Sequence, residues 1–261
     1  MCATCGCSDG PGVRVIDPAV QHDHGGHLHG GHGHGHSHDH DTPAAGVTVA
    51  LEIDILARND DLAAVNRARL AELGVTALNL MSSPGAGKTT LLERTIRDVG
   101  AELPCTVLEG DQETLLDAER IRAAGARAVQ INTGAGCHLD ADMVAEGLRV
   151  LAPAPGSLLF VENVGNLVCP ALFDLGESAR VVIMSVTEGA DKPLKYPHMF
   201  RTADLVLLTK VDLLPYVEFD VDAFVSGARR ARPGVEVLEI SATRGDGLAG
   251  WYRWLGAHPS T

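Results

Sequence analysis

The chain has 261 residues, with 21 Lys and Arg against 34 Asp and Glu for a formal net charge of −13, and is 45% hydrophobic but only 4% aromatic. That acidity excludes non-specific binding to nucleic acid or to an anionic membrane surface, because both need Lys and Arg at the phosphates. No apolar run approaches the ~20 residues that span a bilayer, and the length suits one medium α/β domain with an appended tail.

The first segment, 1–46, contains too little apolar sequence to offset the entropy of ordering it, and is read as a mobile metal-binding tail. It opens with Cys2, Cys5 and Cys7 and continues with nine histidines: His22, His24, His27, His29, His32, His34, His36, His38 and His40. The cysteine spacing is too tight for a structural zinc finger, which needs a second ligand pair farther on. Three thiolates and a nitrogen, supplied by the Cys2 amine once Met1 is removed, suit a flat Ni(II) site. The histidines offer many weak, interchangeable imidazoles for storing Ni²⁺ or Zn²⁺. No basic stretch followed by an apolar one opens the chain, so a cytoplasmic protein with reduced thiols is expected.

Residues 47–74 form a helical lead-in. Leu56, Leu62, Val65, Leu70 and Leu73 recur at helical spacing over 47–73, and Gly74 stops the helix. From 75 to 261 short apolar runs alternate with helical patterns. Strands are predicted at 76–81, 106–109, 128–132, 158–162, 181–186, 205–209 and 235–240, and helices at 88–99, 114–124, 140–151, 222–230 and 248–255. This alternation predicts a mostly parallel sheet covered by helices on both faces. Cys105, at the edge of the second of these strands, is read as a small core residue.

Ser82-Ser83-Pro84-Gly85-Ala86-Gly87-Lys88-Thr89 runs from a strand through a glycine-rich turn into a helix, the context of a phosphate-binding loop. Gly85, Ala86 and Gly87 bring backbone N–H groups to the phosphates, the helix beginning at Lys88 adds its positive dipole end, and Thr90 extends the same turn. Lys88 is expected on the β/γ-phosphates and Thr89 on Mg²⁺, while Ser82 stands where the consensus has its first glycine. Two acidic residues compete to complete the Mg²⁺ site, Asp111 after the second strand and Glu162 at the end of a buried one. Gly165 can offer its N–H to the γ-phosphate. The next residue is Asn166, where many GTPases keep a water-orienting Gln, so slow hydrolysis is expected. Thr209-Lys210-Val211-Asp212 identifies the base. Asp212 can accept the paired N–H donors of guanine, Lys210 can cover the ring, and Ser241-Ala242 at the next strand end can offer an N–H to guanine O6, so GTP is favoured over ATP.

Cys137 and His138 at the start of a predicted helix, with Cys169 four residues after Gly165, make a second metal constellation that lacks a fourth ligand. Water or a symmetry mate could supply it. If the nucleotide state moves 162–169, metal affinity and nucleotide state are coupled reciprocally.

The specific stretches Asn132-Thr-Gly-Ala-Gly-Cys-His-Leu-Asp-Ala141, Glu162-Asn-Val-Gly-Asn-Leu-Val-Cys-Pro-Ala171 and Val186-Thr-Glu-Gly-Ala-Asp-Lys-Pro-Leu-Lys-Tyr-Pro197 resemble the hydrogenase nickel-incorporation GTPases, HypB. Glu109-Gly-Asp-Gln-Glu-Thr114, the phosphate loop and the N-terminal thiol cluster extend the resemblance over nearly the whole chain. The resemblance implies a P-loop G domain and a GTP-dependent homodimer that delivers nickel to the large-subunit precursor of [NiFe] hydrogenase with the HypA metallochaperone. It also implies a high-affinity nickel site at Cys2, Cys5 and Cys7, and a nickel/zinc site at Cys137, His138 and Cys169 near a dimer surface that includes Leu213-Leu-Pro-Tyr-Val217. A urease-type nickel GTPase would carry a Cys-Pro-His motif instead, and a passive nickel store would leave the nucleotide loop without a purpose.

Overall fold

The computed structural model describes residues 14–16, 45–112 and 115–257, with side chains described outside 14–16 and 45–52. The thiol cluster and the histidine run lie outside the described residues. An eight-stranded sheet runs in the order β1-β4-β3-β5-β2-β6-β7-β8. Its strands are β1 (Arg14–Ile16), β2 (Thr76–Ser82), β3 (Cys105–Asp111), β4 (Arg127–Asn132), β5 (Leu158–Glu162), β6 (Ala179–Ser185), β7 (Leu205–Thr209) and β8 (Glu236–Glu239). The strands β2 to β8 pair in parallel. β1 is antiparallel to β4 at one edge, with Arg14 opposite Asn132. Those three residues lie within the segment read as a tail, and three residues are too short a run for alternation to announce a strand.

Period-2 alternation divides the core between the two faces. Leu78, Leu80, Val107, Phe160, Val181, Ile183, Leu205 and Leu207 face a cluster with Leu91, Ile121, Trp251 and Leu255. These come from α2 (Lys88–Val99), α3 (Leu116–Ala124) and α8 (Leu248–Ala257). The alternate residues Ala77, Leu108, Val129, Leu159 and Val161 meet Leu70, Val144 and Leu148, from α1 (Ala45–Glu72) and α4 (Ala141–Leu151). On the same side Met81, Val182, Met184, Val206 and Leu208 meet Met199, Phe200, Phe224 and Ala228. Those come from α6 (Pro197–Arg201) and α7 (Val221–Ala231), preceded by the short α5 (Lys192–Lys195). Neither α5 nor α6 is long enough to show a helical period, and both escape the sequence pattern. Cys105 is buried as expected, and desolvation pushes its thiol up to about 11.

The long helix α1 buries most of the predicted stripe, with Leu70 in the core and Leu56 and Leu73 packed against it, but not Val65. Val65 is 66% exposed, whereas Asn59 and Asn66 are 5% and 3% exposed. The buried face reads Leu56, Asn59, Ala63, Asn66, Leu70, a regular 3–4 spacing in which two members are polar. Each asparagine is satisfied by the chain it packs on. Asn59 Nδ2 donates to Asp174 O at 2.8 Å and its Oδ1 accepts from Ala141 N at 2.9 Å. Asn66 Nδ2 donates to Ala141 O at 2.8 Å and Leu175 O at 3.1 Å. No helix among the described residues is long and apolar enough to cross a membrane.

Candidate functional site

The carboxyl ends of β2, β3, β5 and β7 open onto one side of the sheet, where open α/β folds bind ligands. A cavity of about 840 Å³ there is lined by Gly85, Lys88, Thr89, Asp111, Glu162, Gly165 and Cys137, among others. A smaller one of about 190 Å³ is lined by Ala86, Gly87, Thr90, Thr209, Lys210, Asp212, Leu213, Ala242 and Thr243. Gly87, Thr90 and Lys210 line both cavities, so a phosphate region and a base-sized pocket adjoin.

The loop after β2 folds as its glycines require. Gly85 and Gly87 have φ of +75° and +98°, and Gly87 caps α2 in the left-handed conformation that a Cβ disfavours. The residue that departs from the consensus, Ser82, is fully buried, and its Oγ accepts from Lys88 Nζ at 2.9 Å while donating to Ser83 O at 2.6 Å. Ser83 Oγ in turn donates to Glu188, whose other oxygen accepts from Ser185 N at 3.1 Å. This brace comes from the loop after β6 and was not read from the sequence. Its only signal was the position of Glu188 in the stretch 186–197. Thr209, which replaces the commoner Asn, donates from Oγ1 to Ala86 O at 2.7 Å. Lys210, at φ 60°, extends Nζ to Gly85 O at 2.7 Å. The end of β7 thus holds the phosphate loop from the other side.

Within the base pocket, Asp212 Oδ1 accepts from Ser241 Oγ at 2.6 Å, which orients the carboxylate. Arg94 Nη1 donates to Ala242 O at 3.2 Å and buttresses the Ser241-Ala242 turn from α2.

At the cation end, Thr89 Oγ1 donates to Glu162 Oε1 at 2.9 Å. Glu109, quoted in the sequence only as the opening of a motif, joins this pair, and both carboxyls are almost wholly buried. Burial first, and the neighbouring Glu162 second, hold Glu109 well above the usual carboxylate range. Burial also raises Glu162, against the pull of Lys88. The Oε2 atoms of Glu109 and Glu162 have no protein donor. Buried carboxylate oxygens without donors suit a hard divalent cation. Asp111 is less deeply placed, lining the cavity while its Oδ1 accepts from Gln112 N at 2.7 Å.

Gly165 lies directly on the phosphate loop. A Cβ there would come within 2.9 Å of Pro84 N and Cα, so no larger residue fits without moving one segment or the other. The following residue, Asn166, donates from Nδ2 to Cys137 O at 3.2 Å and accepts from Val168 N at 2.9 Å. Asn163 Oδ1 accepts from Leu139 N at 3.1 Å. The chain leaving β5 is thereby bonded on one side to the turn that carries Cys137 and His138.

Cys137 and His138 do not open a helix. They lie in the turn before α4, whose first residue is Ala141 and whose N-cap, Asp140, accepts from Met143 N at 2.8 Å. Polar groups between Thr133 and Asp140 prefer local bonds, such as Thr133 Oγ1 to Gly136 O at 2.9 Å, over helix. Cys169 begins a 3₁₀ turn, Cys169–Ala171. The ligand atoms of Cys137, His138 and Cys169 all lie within 4.8 Å of one another, as the sequence reading required. Cys137 Sγ is 3.6 Å from His138 Nδ1, and the His138 ring stacks on Phe173 with centroids 4.0 Å apart. Desolvation lowers the imidazole pKa, against the opposing effect of Asp140. Two thiols and an imidazole form a borderline-soft donor set suited to Ni²⁺ or Zn²⁺, with a position left for another ligand.

Residues 76–239 match the CobW/HypB/UreG nucleotide-binding domain. Over 98% of its length the chain is 49% identical to the hydrogenase maturation factor HypB of Azotobacter vinelandii, covering 91% of that protein. It is 46% identical to that of Escherichia coli K12, covering 98% of each. The crystal structure of HypB from Archaeoglobus fulgidus superposes with a TM-score of 0.73 at 42% identity, over 77% of this chain and 98% of that one. That of HypB from Helicobacter pylori in complex with nickel superposes at 0.73 and 37% identity, over 78% and 98%. A phosphate loop braced from two strands and a Cys-Cys-His cluster bonded to the next loop thus coincide with this relatedness, and the chain belongs to the HypB hydrogenase maturation factors of the CobW/HypB/UreG nucleotide-binding family.

Proposed function

We propose that this chain is a GTP-hydrolysing nickel chaperone that supplies Ni²⁺ to the large-subunit precursor of [NiFe] hydrogenase. The single observation that carries the reading is the bond from Asn166, adjacent to Gly165 against the phosphate loop, to the carbonyl of Cys137. In this reading, Gly85, Ala86, Gly87, Lys88, Thr89 and Thr90 hold the phosphates. Asp212, Lys210, Ser241 and Ala242 select guanine. Thr89, Glu162 and either Glu109 or Asp111 hold Mg²⁺, which when bound neutralises the charge that develops on the phosphates. The Asn166 amide is already engaged by Cys137 and Val168, so it does not orient a water, and intrinsic hydrolysis is slow. Cys137, His138 and Cys169 carry Ni²⁺ as cargo, or Zn²⁺, and the loop 162–169 couples that cargo to the nucleotide.

Cys2, Cys5 and Cys7 are proposed to acquire nickel, the histidine run to store it, and the HypA metallochaperone and a homodimer partner to take part in transfer in the cytoplasm. The reading is supported by the nickel complex of the Helicobacter pylori relative and by the hydrogenase role carried in the relatives' names. Phosphate release from GTP and ATP, with Mg²⁺, tests the enzymatic half. A GTP preference of at least about tenfold is expected for a charged double hydrogen bond to the base; equal rates would overturn it. Transfer of nickel from the loaded chain to a purified large-subunit precursor, faster with GTP than with GDP, tests the delivery half.

A further inference from the structure

Proteins seldom bury two asparagines on one face of a helix without giving them partners. Those on α1 are spaced seven residues apart, and the backbone groups they bind belong to the first residue of α4, directly after the turn that carries Cys137 and His138, and to the segment that follows Cys169. Asn59 accepts from Ala141 N, three residues beyond His138, and donates to Asp174 O, five beyond Cys169. Asn66 repeats the arrangement one heptad later, on Ala141 O and Leu175 O.

Three further contacts tie the same parts together. Arg67 Nη2 meets both carboxylate oxygens of Asp174 at 2.7 Å. A Cβ on Gly176 would come within 2.6 Å of Ala63 O, so the 174–177 segment lies directly on the helix backbone. Phe173, next to the bonded Asp174, is the ring on which His138 stacks. The turn carrying Cys137 and His138 and the segment following Cys169 therefore share a common support. Leu residues in place of the asparagines would pack as well but would leave the two segments unbonded.

We infer that Asn59 and Asn66 are positioning residues of the Cys137–His138–Cys169 site, and that α1 sets the separation of the two turns that hold the cargo metal. The inference rests on the proposed metal-carrying role of that cluster. It places control of metal affinity partly on α1, outside the phosphate loop.

The test uses the full chain with Cys2, Cys5 and Cys7 changed to Ser, so that the near-ultraviolet thiolate-to-nickel absorption reports only the remaining cysteines and not the histidines. Ni²⁺ and Zn²⁺ affinities are measured by chelator competition, with GDP affinity as the measure of intact folding. Asn59→Leu, which removes a support of the two ligand-bearing segments and not a partner of a ligand itself, is expected to weaken both metals by up to about tenfold, measurably in each case, and to shift the absorption band. Asn59→Asp keeps the acceptor for Ala141 N–H but sets an oxygen against Asp174 O, and should weaken binding by a smaller factor. Arg67→Ala, at a largely exposed ion pair, should weaken it by a smaller but measurable factor, about twofold to threefold, and GDP affinity should hold throughout. If Asn59→Leu does not fold, Asn59→Asp and Arg67→Ala decide the matter. Unchanged affinities and bands in these variants, while Cys169→Ser abolishes the band, would overturn the positioning role and leave the metal site standing. A band unaffected by Cys169→Ser would overturn the metal site itself and the inference with it.

Discussion

The phosphate loop and the thiol–imidazole cluster adjoin, with Cys137 lining the cavity that the loop lines, yet they are built in different ways. The loop is a contiguous stretch, 82–89, whose conformation is set by two left-handed glycines and whose carbonyls are held by Thr209 and Lys210. The cluster is not one contiguous loop. Its ligands sit in two short turns, separated by all of α4 and β5, which are tied by Asn163 and Asn166 of the loop leading to Cys169 and by Asn59 and Asn66 of α1. A site that must hold the same anion at every turnover gains from rigid backbone. A site that carries a cargo metal, as proposed, is held by bonds from segments outside its own turns.

The largest effect that would sharpen this contrast is at Lys88. Replacing it by Ala removes the cation that Ser82 positions, and GTP hydrolysis should fall on the order of 100-fold or more. Nickel affinity measured without nucleotide should stay as it was. Loss of nickel binding in that variant would break the separation of the two sites. Asp212→Asn comes next. Exchanging an acceptor for a donor should cost guanine about 1.5–3 kcal/mol, roughly 10- to 100-fold in GDP affinity, and should favour a base with a carbonyl in place of the guanine amine. Competition between GDP and XDP checks it.

Gly165→Ala should overpack the loop against Pro84 and lower stability by about 1–3 kcal/mol, visible as a fall in Tm together with weaker GTP-analogue binding. Asn166→Ala should leave both ligands bound but shrink the dependence of one on the other by about 0.5–1.5 kcal/mol, measurable as the ratio of nickel affinities in the two nucleotide states. The smallest effect is at Val65. Its side chain faces solvent, so Val65→Lys should change stability by no more than about 0.5 kcal/mol in thermal unfolding. A core residue would cost several times that.

The same contrast explains how far the sequence could be read. Buried parallel strands announce themselves by short unbroken apolar runs, so β5 and β7 fall where predicted, and α2 begins at Lys88 because the glycine turn ends there. A contiguous loop reveals its chemistry by type and spacing. The pairing of Cys137 and His138 with Cys169 was visible because each lies beside a recognisable loop, and the parallel sheet brings the ends of β4 and β5 to the same side. The polar supports were not visible. Glu109 lies on a strand that looks wholly structural, and Glu188 sits in a stretch without a period of its own. On α1 the apolar pattern finds Leu56, Leu70 and Leu73 but includes Val65 and omits Asn59 and Asn66, because buried asparagines count as polar in any such pattern and their partners lie about a hundred residues away. Burial of polar side chains is a tertiary fact, and the apolar pattern of a sequence does not record it.

The central claim is that the loop from Glu162 to Cys169 couples nucleotide to cargo. It is tested most directly by titrating the full chain, with Cys2, Cys5 and Cys7 changed to Ser, with Ni²⁺ in its GDP-bound and GTP-analogue-bound forms, reading the thiolate-to-nickel absorption that Cys169→Ser removes. The account predicts affinities that differ between the two forms by about fivefold or more, with the same factor recovered when nucleotide is titrated with and without Ni²⁺. Equal nickel affinities in the two forms would contradict it.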